Sequence, residues 1–235
     1  LVDKQMIELS RKIPLFKKTV ETFVTGEPAS LLLVEFSKDD QNENIRRLKG
    51  LTNLINELGS TSSVIEVTEP AQQKAIWGVR KSALNIMMSM KGDNKPISFI
   101  EDCAVSLEDL PEYTDRLTEV FKKYNTSGTW YAHASVGCLH VRPILNLKKE
   151  LDIKKMRSIA EEAIELVREY NGSHSGEHGD GLVRSEFHEK MFGSKIIRIF
   201  ERIKRVFDPS NRMNPGKIVY PHKMDDPSLL RFKPN

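Results

Sequence analysis

Residues 31–67, LLLVEFSKDDQNENIRRLKGLTNLINELGSTSSVIEV, decide the fold class. The short apolar run LLLVEFS at 31–37 reads as a buried strand. Ile45, Leu48, Leu51, Leu54, Ile55 and Leu58 then recur at the three- and four-residue spacing of an amphipathic helix. Asn44 is a candidate cap at its start, and Gly59 suits a left-handed stop. SVIEV at 63–67 is a second short strand. The unit is therefore strand, helix, strand, and a similar one follows.

Outward from that stretch, residues 1–28 form an entry segment without clear period. A helix is predicted from Glu69 to Met90, with Pro70 in its first turn. ISFIEDCAV at 97–105 reads as a strand and Leu107 to Tyr124 as a helix. Two strands follow at 129–134 and 139–145. A helix spans 152–170 and closes on Asn171-Gly172. The last long helix runs from Glu189 to Phe207 and stops at Asp208-Pro209. Two β-α-β units with short strands predict an α+β fold of ferredoxin-like type. Helices cover one face of a mostly antiparallel sheet, and a helical segment closes the C-terminal end.

The 235 residues carry 36 positive and 33 negative charges, and 39% are hydrophobic. That is the balance of a globular chain, neither disordered nor collagen-like. A net charge of +3 gives no reason to invoke nucleic acid. No apolar stretch approaches the roughly 20 residues of a membrane span. Cys103 and Cys138 make no disulfide framework and fit a reducing, cytoplasmic setting. Leu1 is not Met, which suggests a processed chain or a piece of a longer one.

Chemistry concentrates in the histidines, of which there are six. His133 and His140 flank a glycine-containing turn between two strands, an arrangement that suits two ligands of one metal. Ser173-His174-Ser175-Gly176-Glu177-His178-Gly179-Asp180-Gly181 follows a helix end and places a carboxylate and an imidazole between glycines. Glycine there lets backbone approach a flat ligand closely. Asp180 reads equally well as a turn residue and His174 as a surface one, while His188 and His222 are assigned to the surface. The 172–181 segment lacks the Gly-Lys-Ser/Thr ending of a phosphate loop, and no Cys-x-x-Cys pair supports a zinc finger. On residues alone three alternatives stand beside a redox site. One is a non-catalytic α+β module with a structural metal. Another is a hydrolase using His, His and Glu. The third is a Cys138–histidine nucleophilic pair.

Four motifs in order then point to a family. Trp77-Gly78-Val79-Arg80 comes first, followed by His133-Ala134-x-x-Gly137-x-Leu139-His140. Gly176-Glu177-His178-Gly179-Asp180-Gly181 is third, and Asp208-Pro209 with Met213-Asn214-Pro215-Gly216-Lys217-Ile218 is last. The chain resembles the C-terminal domain of FAD-linked oxidases, over most of its length. That family includes D-lactate dehydrogenase, the glycolate oxidase flavin subunit and D-2-hydroxyglutarate dehydrogenase. The string HASVGCLHVRP at 133–143 is similar to a subgroup fused to an iron–sulfur domain.

The resemblance implies oxidation of a D-2-hydroxy acid to the 2-oxo acid, with hydride transfer to FAD. It implies His178 as the base, since an imidazole with a pKa near about 6.5 is an able proton acceptor at neutral pH. It implies His133, His140 and Glu177 as ligands of a divalent metal (zinc, manganese or iron), which would ease alkoxide formation. Arg80 matches the residue that binds the substrate carboxylate, and Asn214 and Gly179 match positions near the flavin. The whole chain, 1–235, then corresponds to the substrate or cap domain. FAD would be held mainly by an N-terminal domain absent here, so the isolated chain is expected to be inactive. Departures from the commoner motif are Ser135, Val136 and Cys138 in place of Gly, Asp and Asn, and Lys81 where many relatives carry Glu. Every one of these roles requires the turn ending in His140 and the bend holding Glu177 to meet.

Overall fold

A computed structural model describes residues 1–59 and 63–234. The chain divides into two compact units, Leu1–Ser89 and Met90–Asn235. It is an α+β protein with small antiparallel sheets.

In the first unit β1 (Val2–Asp3) pairs antiparallel with β2 (Ser30–Leu31). The entry segment is helical, contrary to expectation: α1 spans Lys4–Lys12 and α2 spans Pro14–Phe23. The local signals are a cap and a proline. The Asp3 side chain accepts a hydrogen bond from the Met6 amide at 2.9 Å, and Pro14 occupies the first turn of α2. Helix α3 (Gln41–Glu57) forms as predicted, capped by Asp40 rather than Asn44. The expected helix at 69–90 bends at Ser82 into α4 (Pro70–Lys81) and α5 (Ala83–Met88). Helix α1 packs on α5 and α2 on α4, burying Met6, Ile7, Val20, Ile76, Val79, Ile86 and Met87.

The strands expected at 31–37 and 63–67 are almost absent. Only Leu31 of the first run joins a ladder, and 63–67 forms none among the described residues. Leu32 is 62% exposed, and no residue of α3 is buried. An apolar run declares that it wants cover, but strand pairing depends on what lies alongside, which local pattern does not encode.

The second unit holds the larger core. Helix α6 (Leu110–Lys123) presents Tyr113, Leu117 and Phe121 at four-residue intervals to α7 (Glu150–Glu169). Helix α7 answers with Ile153, Met156, Ile159, Ala160, Ala163, Ile164 and Val167. Each large side chain buried here contributes about 1.5–3 kcal/mol. Two three-stranded antiparallel sheets lie beside these helices. One orders β3 (Lys95–Pro96), β8 (Arg142–Leu145) and β5 (Gly128–Thr129). The other orders β4 (Cys103–Ala104), β7 (Cys138–Leu139) and β6 (Ala132–His133). A fourth segment extends the second sheet, because Ala104 and Ser173 exchange two backbone hydrogen bonds of 2.8 Å.

That bridge positions the glycine-rich loop. Helix α7 ends at Tyr170, Asn171 turns the chain with φ 51°, and Ser173 docks on the sheet edge. Short helices follow: α8 (Gly181–Arg184), α9 (His188–Phe192) and α10 (Ser194–Phe207). Gly193, with φ 79° and ψ 158°, splits what reads as one helix from 189 to 207. No described helix is long and apolar enough to cross a membrane.

Candidate active site

The β6–β7 hairpin carries the two histidines. One turn of 3-10 helix (Ala134–Val136) and Gly137 connect the strands. His133 is opposite Cys138 in the ladder, and His140 lies just past β7, donating its amide to the Tyr131 carbonyl. Gly137 is required twice over. Its φ is +67°, and an added Cβ would lie 1.9 Å from the Val105 carbonyl oxygen. Gly137→Ala is expected to lower stability by more than about 2 kcal/mol, seen as a fall in thermal midpoint, with the hairpin pushed off β4.

The convergence required of the hairpin and the loop is met. Nε2 of His140 lies 2.9 Å from Glu177 Oε1, Nε2 of His133 lies 3.3 Å and Nε2 of His178 lies 3.6 Å from the same atom. His140 is 3% exposed and stacks with Tyr131 (5.5 Å between centroids) and with His178 (4.8 Å). Burial pushes the His140 pKa down, and the neighbouring His178 adds to that. Its imidazole is thus held neutral with a lone pair to offer, as a metal ligand must be. Asp102, His140, Glu177 and His178 have ligand atoms that all lie within 4.8 Å of one another.

Two acids that the sequence reading passed over organise this cluster. Glu101 and Asp102 sit at the head of β4 and are buried. The Asp102 carboxylate accepts the Glu177 amide at 2.9 and 3.0 Å and the His178 amide at 2.8 Å, while its own carbonyl accepts the Gly176 amide at 2.8 Å. Burial alone would raise its pKa. The His178 and Glu177 amides overcome this and hold the carboxyl below its ordinary value. Asp102 has φ 82°, a conformation seldom kept by a side-chain-bearing residue and one that concentrates at functional sites. Glu101 Oε1 meets Nδ1 of His178 at 3.1 Å, and Arg142 forms an ion pair with the other oxygen. Buried Arg184 ties the Glu101 carbonyl, at 2.7 Å, to the Gly179 carbonyl. The available signal was two adjacent carboxylates inside an apolar stretch, FIEDCAV at 99–105, a placement uncommon for unpaired acids.

Other predicted site residues are placed as follows. Gly179 has φ +76°, is exposed, and has no atom within 4 Å of where a Cβ would stand. Asn214, exposed with φ 46°, ends a turn built on Asp208, whose carboxylate accepts the Arg212 and Met213 amides at 2.9 and 2.8 Å. Lys204 is the first cause of the low Asp208 pKa, about 2, followed by the Arg212 amide. Arg80 lies in the first unit near the end of α4, with its guanidinium 4.9 Å over the Trp77 ring. The histidine cluster lies wholly in the second unit. Cys138 does not pair with a histidine. Its thiol donates to Asp102 at 3.6 Å, and burial foremost pushes its pKa up to about 12, so it is no nucleophile at neutral pH. His174 and His188, read as surface residues, are buried at 1% and 2% exposure, where Asp180 joins them. Phe192, at the end of α9, packs against both rings.

The family model described as "FAD linked oxidases, C-terminal domain" matches residues 1–218. The chain belongs to that family. A D-2-hydroxyglutarate dehydrogenase of Haemophilus influenzae is 31% identical over 94% of the chain and 22% of its own length. One from Escherichia coli K12 is 30% identical over 97% of the chain and 23% of that protein. A D-lactate dehydrogenase of Archaeoglobus fulgidus is 27% identical over 93% of the chain and 44% of its length. The chain therefore spans less than a quarter of the two D-2-hydroxyglutarate dehydrogenases. Within this FAD linked oxidase C-terminal domain, the loop bearing Glu177 and His178 is held by the sheet edge, by Asp102 and by Arg184.

Proposed function

We propose that this chain is the substrate-binding and catalytic domain of a flavin-dependent dehydrogenase that oxidises a D-2-hydroxy acid to the 2-oxo acid. The observation that carries the reading is the meeting of three imidazoles at one Glu177 oxygen, in a chain of the FAD linked oxidase family. The relatives' names supply the substrate class, D-2-hydroxyglutarate or D-lactate. The protein's FAD is held mainly by a further N-terminal domain, and an iron–sulfur domain or subunit is a candidate partner. Two unpaired thiols, Cys103 and Cys138, accord with a cytoplasmic setting.

The donor set fits a divalent cation. Imidazole nitrogens of His133 and His140 and one carboxylate oxygen of Glu177 suit zinc, manganese or iron, and leave positions for substrate oxygens. Such an ion, when bound, supplies positive charge that favours loss of the hydroxyl proton. The open space over Gly179 fits close approach of a flat ring. FAD, when bound, supplies the acceptor for the hydride that leaves the substrate α-carbon.

The chain's own residues do the rest. His178 takes the hydroxyl proton at Nε2, because Nδ1 is engaged by Glu101. Glu101 holds the ring orientation and favours the imidazolium that forms, and Arg142 pairs with the other Glu101 oxygen. Matching of the family's motifs alone assigns Arg80 to the substrate carboxylate and Asn214 to the flavin that would be bound. One C–H bond and one O–H bond break, a C=O bond forms, and two electrons leave with the hydride.

The test is anaerobic mixing of the intact protein with D-lactate, D-2-hydroxyglutarate and their L-enantiomers. Flavin absorbance is expected to bleach with a D-acid and to persist with its L-form. Persistence with every 2-hydroxy acid tried would rule the reading out.

A further inference from the structure

The loop that bears Glu177 and His178 runs on into a second cluster of different composition. Nε2 of His174 lies 3.2 Å from Asp180 Oδ1, and Nε2 of His188 lies 3.2 Å from Asp180 Oδ2. Neither approach has hydrogen-bond geometry. Both Nε2 atoms and Asp180 Oδ1 are buried without a hydrogen-bond partner among the described residues. The two imidazoles meet edge to face at 5.4 Å, and Phe192 closes over them at 5.7 and 5.6 Å.

The proton on His188 is fixed by its other nitrogen. Nδ1 is 3.4 Å from the Ile218 carbonyl, which can only accept, so Nδ1 carries the hydrogen. In the neutral ring, Nε2 then presents a lone pair to a carboxylate oxygen. Two acceptors facing each other in a dry place repel unless something positive lies between them. Neither Nε2 meets the Asp180 carboxylate with the geometry of an N–H donor, and all three atoms are buried without a hydrogen-bond partner among the described residues. A cation held among the three side chains supplies the positive charge they face. In a tetrahedral site with bonds of about 2.0–2.1 Å, neighbouring ligand atoms are about 3.3 Å apart. The two 3.2 Å separations match that edge. A ligand imidazole that donates its second N–H to a backbone carbonyl, as His188 does, is the usual outer arrangement of such sites.

We propose that His174, Asp180 and His188 form a second binding site for a first-row divalent cation, zinc foremost, separate from the His133–His140–Glu177 cluster. Its ion ties the loop at 174–180 to α9 and so fixes the segment that presents Glu177 and His178. The site needs neither flavin nor substrate.

Elemental analysis of the intact protein, loaded with zinc and dialysed against metal-free buffer, tests it. The His133→Ala/His140→Ala double variant is expected to retain one zinc per chain. Adding Asp180→Asn to that background is expected to abolish it. Asp180→Asn is nearly isosteric and preserves the fold better than removal of a buried ring. His188→Gln serves as a second variant, with circular dichroism as the check on folding. Cobalt in place of zinc in the double variant should give visible ligand-field absorption that Asp180→Asn removes. A double variant that holds no zinc overturns the proposal, as does a zinc count that neither Asp180→Asn nor His188→Gln lowers. A parent with one zinc that the double variant keeps supports this site and counts against the first, so the two readings fail separately.

Discussion

His178→Ala is expected to lower the rate of flavin reduction by about 10²–10⁴-fold, the usual contribution of a positioned general base. The substrate's KM should move far less, because binding falls to other groups. The physical basis is a chain of three residues. Arg142 holds Glu101, Glu101 holds Nδ1 of His178 at 3.1 Å, and Nε2 is left as the proton acceptor. Glu101→Gln acts through His178 and so tests positioning. It should cause a smaller loss and shift the pH profile of reduction, since an amide favours the imidazolium less than a carboxylate does. Stopped-flow absorbance of the anaerobic protein with saturating D-acid measures all three forms. A His178→Ala protein that bleaches as fast as the parent removes His178 from the role of base.

Asp102→Asn is expected to cause the second large effect, on stability and metal content together. The carboxylate of Asp102 accepts amides from Glu177 and His178, and Ser175 Oγ lies at 3.4 Å. An asparagine keeps the shape but loses the charge and turns one acceptor into a donor facing N–H groups. Hydrogen bonds to charged groups contribute about 1.5–3 kcal/mol, so a loss of about 2–3 kcal/mol follows. Because these amides belong to Glu177 and His178, the loop would also leave its place, and metal bound by His133, His140 and Glu177 should fall. Acid acts in the same direction. The Asp102 carboxyl is held below its ordinary value in the folded state. Its stabilisation is therefore full above the unfolded pKa of about 3.9 and disappears as pH falls through the lower folded value. Thermal melts at several pH values with elemental analysis check both parts. Parental melting temperature and metal content in Asp102→Asn would show that the loop is held by other means.

The sequence made the long helices plain. The apolar spacing of α6 and α7 and the stop at Asn171-Gly172 are local properties, and each appears within a few residues of its predicted place. The hairpin histidines and the Gly-Glu-His-Gly loop were also legible, because histidine is sparse and glycine marks tight backbone. The entry helices were missed because each is only 9 or 10 residues long, too short for the apolar period to repeat, and their other signals are a capping Asp3 and Pro14. The strands at 31–37 and 63–67 were overcalled because pattern names a face without naming what covers it.

Composition, periodicity and motif order thus indicated the α+β class, helices α6 and α7 and the two segments that carry His133, His140, Glu177 and His178. These depend on neighbours within a few residues along the chain. Folding in three dimensions decided which acids matter. Glu101 and Asp102 reach the loop across 77 and 75 positions of sequence, and Arg142 supports it through its ion pair with Glu101. It also decided that His174 and His188 are interior residues gathered at Asp180. Burial and the direction of a lone pair arise only when distant segments pack, and no local spacing records them.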